Sequence, residues 1–154
     1  APWYNAAMAN ILVVDDEPSV VMLLRFILEK SGHAVEESHN GQEALKQLGI
    51  DPVNAAAPLP DMVLLDVMMP IMDGFSVAKA MSSHSRTSQV PILVITAKGD
   101  MRPLFEAMPQ VAGFFQKPFD PKQLRETVAK LTGPKTARGR EEGPPCAGGA
   151  EAAG

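Results

Sequence analysis

The chain has 154 residues, room for one ordinary domain, and its 45% apolar and 21% charged side chains support a packed core and exclude wholesale disorder. A net charge of −4 argues against a broad nucleic-acid-binding face, and one cysteine, Cys146, excludes an internal disulfide framework or multi-cysteine metal cluster and points to the cytoplasm. No apolar run approaches the ~18 residues of a membrane span, and the first ten residues lack the basic and apolar regions of a signal peptide.

Residues 1–9 hold the only Trp and Tyr, Trp3 and Tyr4, and read as a leader or expression remnant, with a docking arm as the alternative. A folded domain is expected over 10–132. Its first element is the apolar run Ile11, Leu12, Val13, Val14, which stops at Asp15 and Asp16. Pro18 then opens a helix with Val20, Leu23, Leu24, Ile27 and Leu28 on one face, ended by Gly32. A weaker strand is expected over 33–38. Asn40 with Glu43 resembles a capping box ahead of Ala44, Leu45 and Leu48. Residues 50–60, with three prolines and three alanines, read as an irregular loop.

Val63, Leu64 and Leu65 lead into Asp66, and Asp73 can cap a helix carrying Phe75, Ala78 and Met81. Ile92, Leu93, Val94 and Ile95 lead into Thr96. A short helix is expected over 100–108, with Pro103 in its first turn and with Met101, Arg102, Phe105 and Met108 exposed. A weak strand follows over 111–115, then a helix opened by Asp120 and Pro121 with Leu124, Val128 and Leu131 on one face. Continuous apolar runs suit strands buried on both faces, so the pattern predicts an α/β fold, (βα)5, with five parallel strands covered on both sides. Residues 133–154 contain six Gly, three Pro, five Ala and no large apolar residue, and read as a disordered tail or linker.

In an open α/β sheet, ligands bind beyond the carboxyl ends of the strands. Those ends carry Asp15, Asp16 and Glu17, then Asp66, then Thr96, then Lys117 followed by Pro118. Two like charges 4 Å apart repel by about 4 kcal/mol at an effective dielectric near 20. A hard divalent cation relieves that repulsion, and Mg²⁺ suits one or two carboxylates plus waters. With a lysine and a hydroxyl added, such a site can stabilise a phosphoryl group arriving on a free carboxylate.

Four segments carry a family resemblance: Asn10-Ile-Leu-Val-Val-Asp15-Asp16-Glu17, Leu65-Asp66-Val-Met-Met-Pro70-Ile-Met-Asp73-Gly74, Ile95-Thr96-Ala97 and Lys117-Pro118-Phe119. In that order and spacing they resemble the signature segments of response regulator receiver domains, over about residues 10–132. The resemblance implies a flavodoxin-like doubly wound sheet with strand order 2-1-3-4-5. It implies that Asp66 accepts a phosphoryl group from the phosphohistidine of a sensor histidine kinase or a histidine phosphotransfer protein. It further implies that Asp15, Asp16, Asp66 and the Met68 backbone carbonyl bind Mg²⁺. Thr96, the Ala97 backbone and Lys117 would contact the phosphate, and Lys117-Pro118 would be a cis peptide. Thr96 and Phe114 would form the switch.

Residues two after the acceptor and two after the threonine, here Met68 and Lys98, tune hydrolysis in the family. Neither orients an attacking water, so slow self-dephosphorylation is expected. Ala112 and Gly113 stand where many members carry an acidic pair, which argues against a charged dimer contact. The expected role is a phosphoacceptor that assists its own phosphorylation and dephosphorylation and switches an unnamed protein partner. No contact with nucleic acid or membrane is expected of the domain itself. The competing readings are an aspartyl-nucleophile phosphatase and a flavin-binding module; the latter is weakened by the lack of a Ser/Thr/Gly-rich loop after the first strand. The histidines His33, His39 and His84 read as surface or strand-edge residues.

Overall fold

The structure, a computed structural model, describes residues 9–96, 102–105 and 107–132. The three continuous apolar runs form β1 (Asn10–Val14), β3 (Met62–Asp66) and β4 (Ile92–Thr96). The two mixed segments form β2 (Ala34–Ser38) and β5 (Val111–Gln116). All pair in parallel in the order β2-β1-β3-β4-β5, as the resemblance implied. Position in the sheet explains the two kinds of strand. β3 and β4 are buried at every residue, while β2 and β5 lie at the edges and keep exposed positions.

Side-chain alternation sends the strands into two cores. Ile11, Val13, Leu64 and Ile95 pack with Leu24 and Leu28 of α1 (Pro18–Lys30) and with Leu124 and Val128 of α4 (Pro121–Leu131). On the other face, Leu12, Val14, Leu65 and Val94 pack with Leu45 of α2 (Gly41–Gln47) and with Val77 and Met81 of α3 (Gly74–Ser83). The helix starts follow the expected caps. Asn40 accepts from the Glu43 N–H at 2.9 Å, Asp73 from Ser76 at 2.8 Å and Asp120 from Lys122 at 3.0 Å. Among the described residues, no helix is long and apolar enough to cross a membrane.

Four expectations are corrected. In α1 the buried face is Val21, Leu24, Ile27 and Leu28, with Val20 half-buried and Leu23 exposed beside Met22 and Phe26. The apolar set spans more of the circumference than the sheet can cover, and contact with β1 and β2 decides the rotation. Within 100–108 the described residues form a 3-10 turn, Arg102–Phe105, whose Pro103 lacks a helical N–H donor. Phe105 is not exposed there. Its ring lies 5.6 Å from Phe75 and 5.8 Å from Phe114, so it closes the core under the turn, and Met108 is half-buried against it. His33 is buried below β2, its Nδ1 has no partner, and burial lowers its pKa.

The described residues begin at Ala9, one residue before β1. Ala9 is already buried, and its carbonyl accepts from the Ala34 N–H at 2.9 Å. Residues 1–8 and 133–154, together with Ala97, Lys98 and Met101, lie outside the described residues. Gly113 sits where β5 shifts register against β4, and a Cβ there would come within 2.7 Å of Leu93 Cδ1.

Candidate functional site

Because β1, β3 and β4 are parallel, their carboxyl ends meet on one edge of the sheet, and the residue that follows each run is carried there. Asp15, Asp16 and Asp66 each offer a carboxylate oxygen within 4.8 Å of the others. Asp15 is held on both oxygens. Its Oδ1 accepts from the Glu17 N–H at 2.9 Å, and its Oδ2 lies 2.9 Å from Lys117 Nζ. Asp66 is buried to 4% exposure and accepts from the Met68 N–H at 3.3 Å. Asp16 is the more open of the three.

Lys117 comes from the far edge of the sheet. Its N–H donates to the Thr96 carbonyl at 2.8 Å, which continues the β4–β5 ladder and aims the side chain across the strand ends. The ammonium lies 2.9 Å from Asp15, 3.2 Å from Glu17 and 3.6 Å from Asp66. The Lys117-Pro118 peptide is cis. Burial acts to lower the Lys117 pKa, but its bond to Asp15 and the surrounding carboxylates outweigh that and raise it. Asp66 is pushed up to about 6, first by burial and then by the Asp15 charge; Lys117 and the Met68 N–H act in the opposite direction. One ammonium thus serves three acids, and the carboxylates of Asp15, Asp16 and Asp66 are the hard oxygen donors that would suit a divalent cation.

The fold brings Asp15, Asp16, Asp66 and Lys117 together as the sequence predicts. Thr96 is buried at the end of β4 beside this group, and Phe114 is half-buried three residues before Lys117. Met68 is half exposed at the rim. Ala97 and Lys98 lie outside the described residues. Glu17 is the contact that sequence reasoning missed. It is the N-cap residue of α1 but caps nothing with its side chain, which turns to Lys117 instead. An N-cap Glu where Ser, Asp or Asn is preferred was the available signal.

The acceptor loop is fixed by a close backbone approach. The Gly74 N–H donates to Val67 at 2.9 Å, and a Cβ on Gly74 would lie 2.2 Å from the Asp66 carbonyl oxygen. Neither backbone can yield without moving Asp66. Gly74→Ala is therefore expected to cost about 3 kcal/mol, measured by urea unfolding. A cost near the few tenths of a surface change would refute this account of the loop.

A family model described as the response regulator receiver domain matches residues 11–129. The chain is 38% identical over 129 residues to the alkaline phosphatase synthesis transcriptional regulatory protein PhoP of Bacillus subtilis, covering 79% of this chain and 48% of that protein. It thus spans about half the length of that relative. It is 32% identical over 122 residues to protein PilH of Pseudomonas aeruginosa, covering 79% of this chain and 95% of that one. Among solved structures, it is similar to chemotaxis protein CheY4 of Vibrio cholerae, with TM-score 0.70 and 31% identity over 81% of this chain and 99% of that one. It is also similar to response regulator protein TrrA of Thermotoga maritima in complex with Mg²⁺ and beryllofluoride, with TM-score 0.66 and 31% identity over 79% and 97% of the two chains.

Proposed function

This chain belongs to the response regulator receiver domain family, and from that premise we propose that it accepts a phosphoryl group on Asp66 and uses it to switch a protein partner. The observation that carries the reading is Asp66 itself, a buried carboxylate between two further acids and within 3.6 Å of an ammonium. The donor is the phosphohistidine of a sensor histidine kinase or a histidine phosphotransfer protein, met in the cytoplasm. Asp15, Asp16, Asp66 and the Met68 carbonyl would hold Mg²⁺, which would supply positive charge against the incoming phosphoryl oxygens; the relative TrrA is described with Mg²⁺ and beryllofluoride bound. Lys117, Thr96 and the Ala97 backbone receive the remaining phosphoryl oxygens.

The output follows from the aromatic row. Phe114 on β5 touches Phe105 of the 3-10 turn, which touches Phe75 of α3. A shift of Thr96 toward the phosphate moves Phe114 and, through Phe105, the exposed Arg102, Pro103 and Leu104. A coupling of about 1–3 kcal/mol is enough for such a switch. The test is amide NMR on addition of beryllofluoride with Mg²⁺, where beryllofluoride stands in for the phosphoryl group. Shifts are expected to extend from the acidic loops through Thr96 to Phe105 and Phe114. Shifts confined to the loops around Asp15, Asp16 and Asp66 would refute the switch, and sustained turnover of p-nitrophenyl phosphate would mark a phosphatase instead.

The lifetime of the phosphorylated form rests on Met68 and Lys98. Met68 offers no strong donor or acceptor to an in-line water, and a lysine two residues after Thr96 carries no acceptor either. Decay of phospho-Asp66 after donor removal is expected to be slow in the parent and several-fold faster in Met68→Asn and Lys98→Glu. Parent decay as fast as both variants would overturn this.

A further inference from the structure

The Lys117 ammonium does not hold its three acids equally. It lies 2.9 Å from Asp15 and 3.2 Å from Glu17, near or within hydrogen-bond range, but 3.6 Å from Asp66, beyond it. At rest the lysine is bonded to two neighbours of the acceptor and only paired by charge with the acceptor itself. A phosphoryl group on Asp66 brings three strong acceptor oxygens into that gap. For Lys117 to turn to them, one of its two bonds must open.

The surroundings decide which one. The Asp15 side chain is 2% exposed, and its other oxygen is fixed by the Glu17 N–H at 2.9 Å. The Glu17 side chain is 58% exposed, so water can replace the lysine there. It makes no cap bond to α1. The helix start is secured by the Glu17 backbone, whose carbonyl accepts from the Val20 and Val21 N–H groups, each at 3.1 Å. The side chain is free to swing out while the backbone stays.

We propose that Glu17 is a positioning residue for the phosphoryl transfer, holding Lys117 back from Asp66 in the resting domain and releasing it when the phosphoryl group arrives. This rests on the reading of Asp66 as the acceptor. Glu17 acts through Lys117, at a group it does not itself touch. Each phosphorylation breaks one exposed ion pair, and such a pair is worth a factor of about two to five. Glu17 therefore lowers the phosphorylated fraction by that factor and sets a threshold that the donor must exceed.

Glu17→Gln keeps the size of the side chain and removes its charge. Its far-UV spectrum should match the parent's, because the backbone bonds of residue 17 remain. In EDTA, the Lys117 side-chain ammonium NMR signal is expected to shift in Glu17→Gln. With acetyl phosphate and Mg²⁺, intact mass should show Asp66 labelled about two to five times faster than in the parent. The beryllofluoride concentration for half-saturation, followed by amide NMR, should fall by the same factor. In a Lys117→Met background, Glu17→Gln should alter neither quantity. An unshifted Lys117 signal, or labelling no faster than the parent's, would overturn the proposal. An equal gain in the Lys117→Met background would overturn it too, since Glu17 would then act by its charge on the incoming group and not through the lysine. Those outcomes leave the acceptor in place. Labelling unchanged in Asp66→Asn would overturn the acceptor, and this inference with it.

Discussion

Acetyl phosphate with Mg²⁺ is expected to add one phosphoryl group to the parent chain and none to Asp66→Asn. In the step, an Asp66 carboxylate oxygen forms the new bond to phosphorus, the bond from phosphorus to the acetyl oxygen breaks, and acetate leaves with the electron pair. An amide cannot replace that nucleophile. Negative charge meets negative charge here, and the ammonium 3.6 Å from Asp66 is already shared with Asp15 and Glu17. Removing the divalent cation with EDTA is therefore expected to slow labelling by about a hundredfold or more.

The carboxylate is the reactive form, and Asp66 is pushed up to about 6 by burial and by Asp15, so metal-free labelling should fall as pH drops through that value. Mg²⁺ favours the charged form and should move the fall to lower pH. Intact mass measures the product. Equal labelling of Asp66→Asn would show that the acceptor is elsewhere.

The same replacement should make the metal-free protein more stable. A folded-state pKa raised above the unfolded value means that the folded chain holds the proton more tightly. The stabilising contribution is full below the ordinary value of 3.8 and is lost as pH rises through about 6. Above that, the parent keeps an ionised carboxylate among Asp15 and Asp16 in a buried site. The gap between 3.8 and about 6 converts to about 3 kcal/mol as an upper bound, and water at the open Asp16 side screens it to about 1–2 kcal/mol.

Asp66→Asn is therefore expected to be more stable than the parent by about that amount at pH 7.5 in EDTA, with the difference vanishing toward pH 4. Mg²⁺ should stabilise the parent more than the variant and narrow the gap. Urea unfolding at the two pH values, with and without Mg²⁺, measures it. A parent as stable as the variant at pH 7.5 would mean that the three carboxylates do not strain the fold.

Local chemistry alone determined a good part of this protein. Buried parallel strands must be apolar at every position, so β1, β3 and β4 stand out as runs, and the acids that end two of them stand out for the same reason. The caps at Asn40, Asp73 and Asp120 are equally local, since each side chain bonds a backbone N–H within three residues.

What tertiary structure decided is whatever depends on how one element meets another. The sequence could not say which part of α1's wide apolar stripe faces the sheet, and Val21 is buried where Leu23 was expected. It could not bury Phe105, because the Phe75 and Phe114 rings that cover it come from α3 and β5. Nor could it show how Lys117 divides itself, because Asp15, Glu17 and Asp66 reach it from two other strand ends. A charge's partners are set by distances across the sheet, and those exist only once the strands are paired in order.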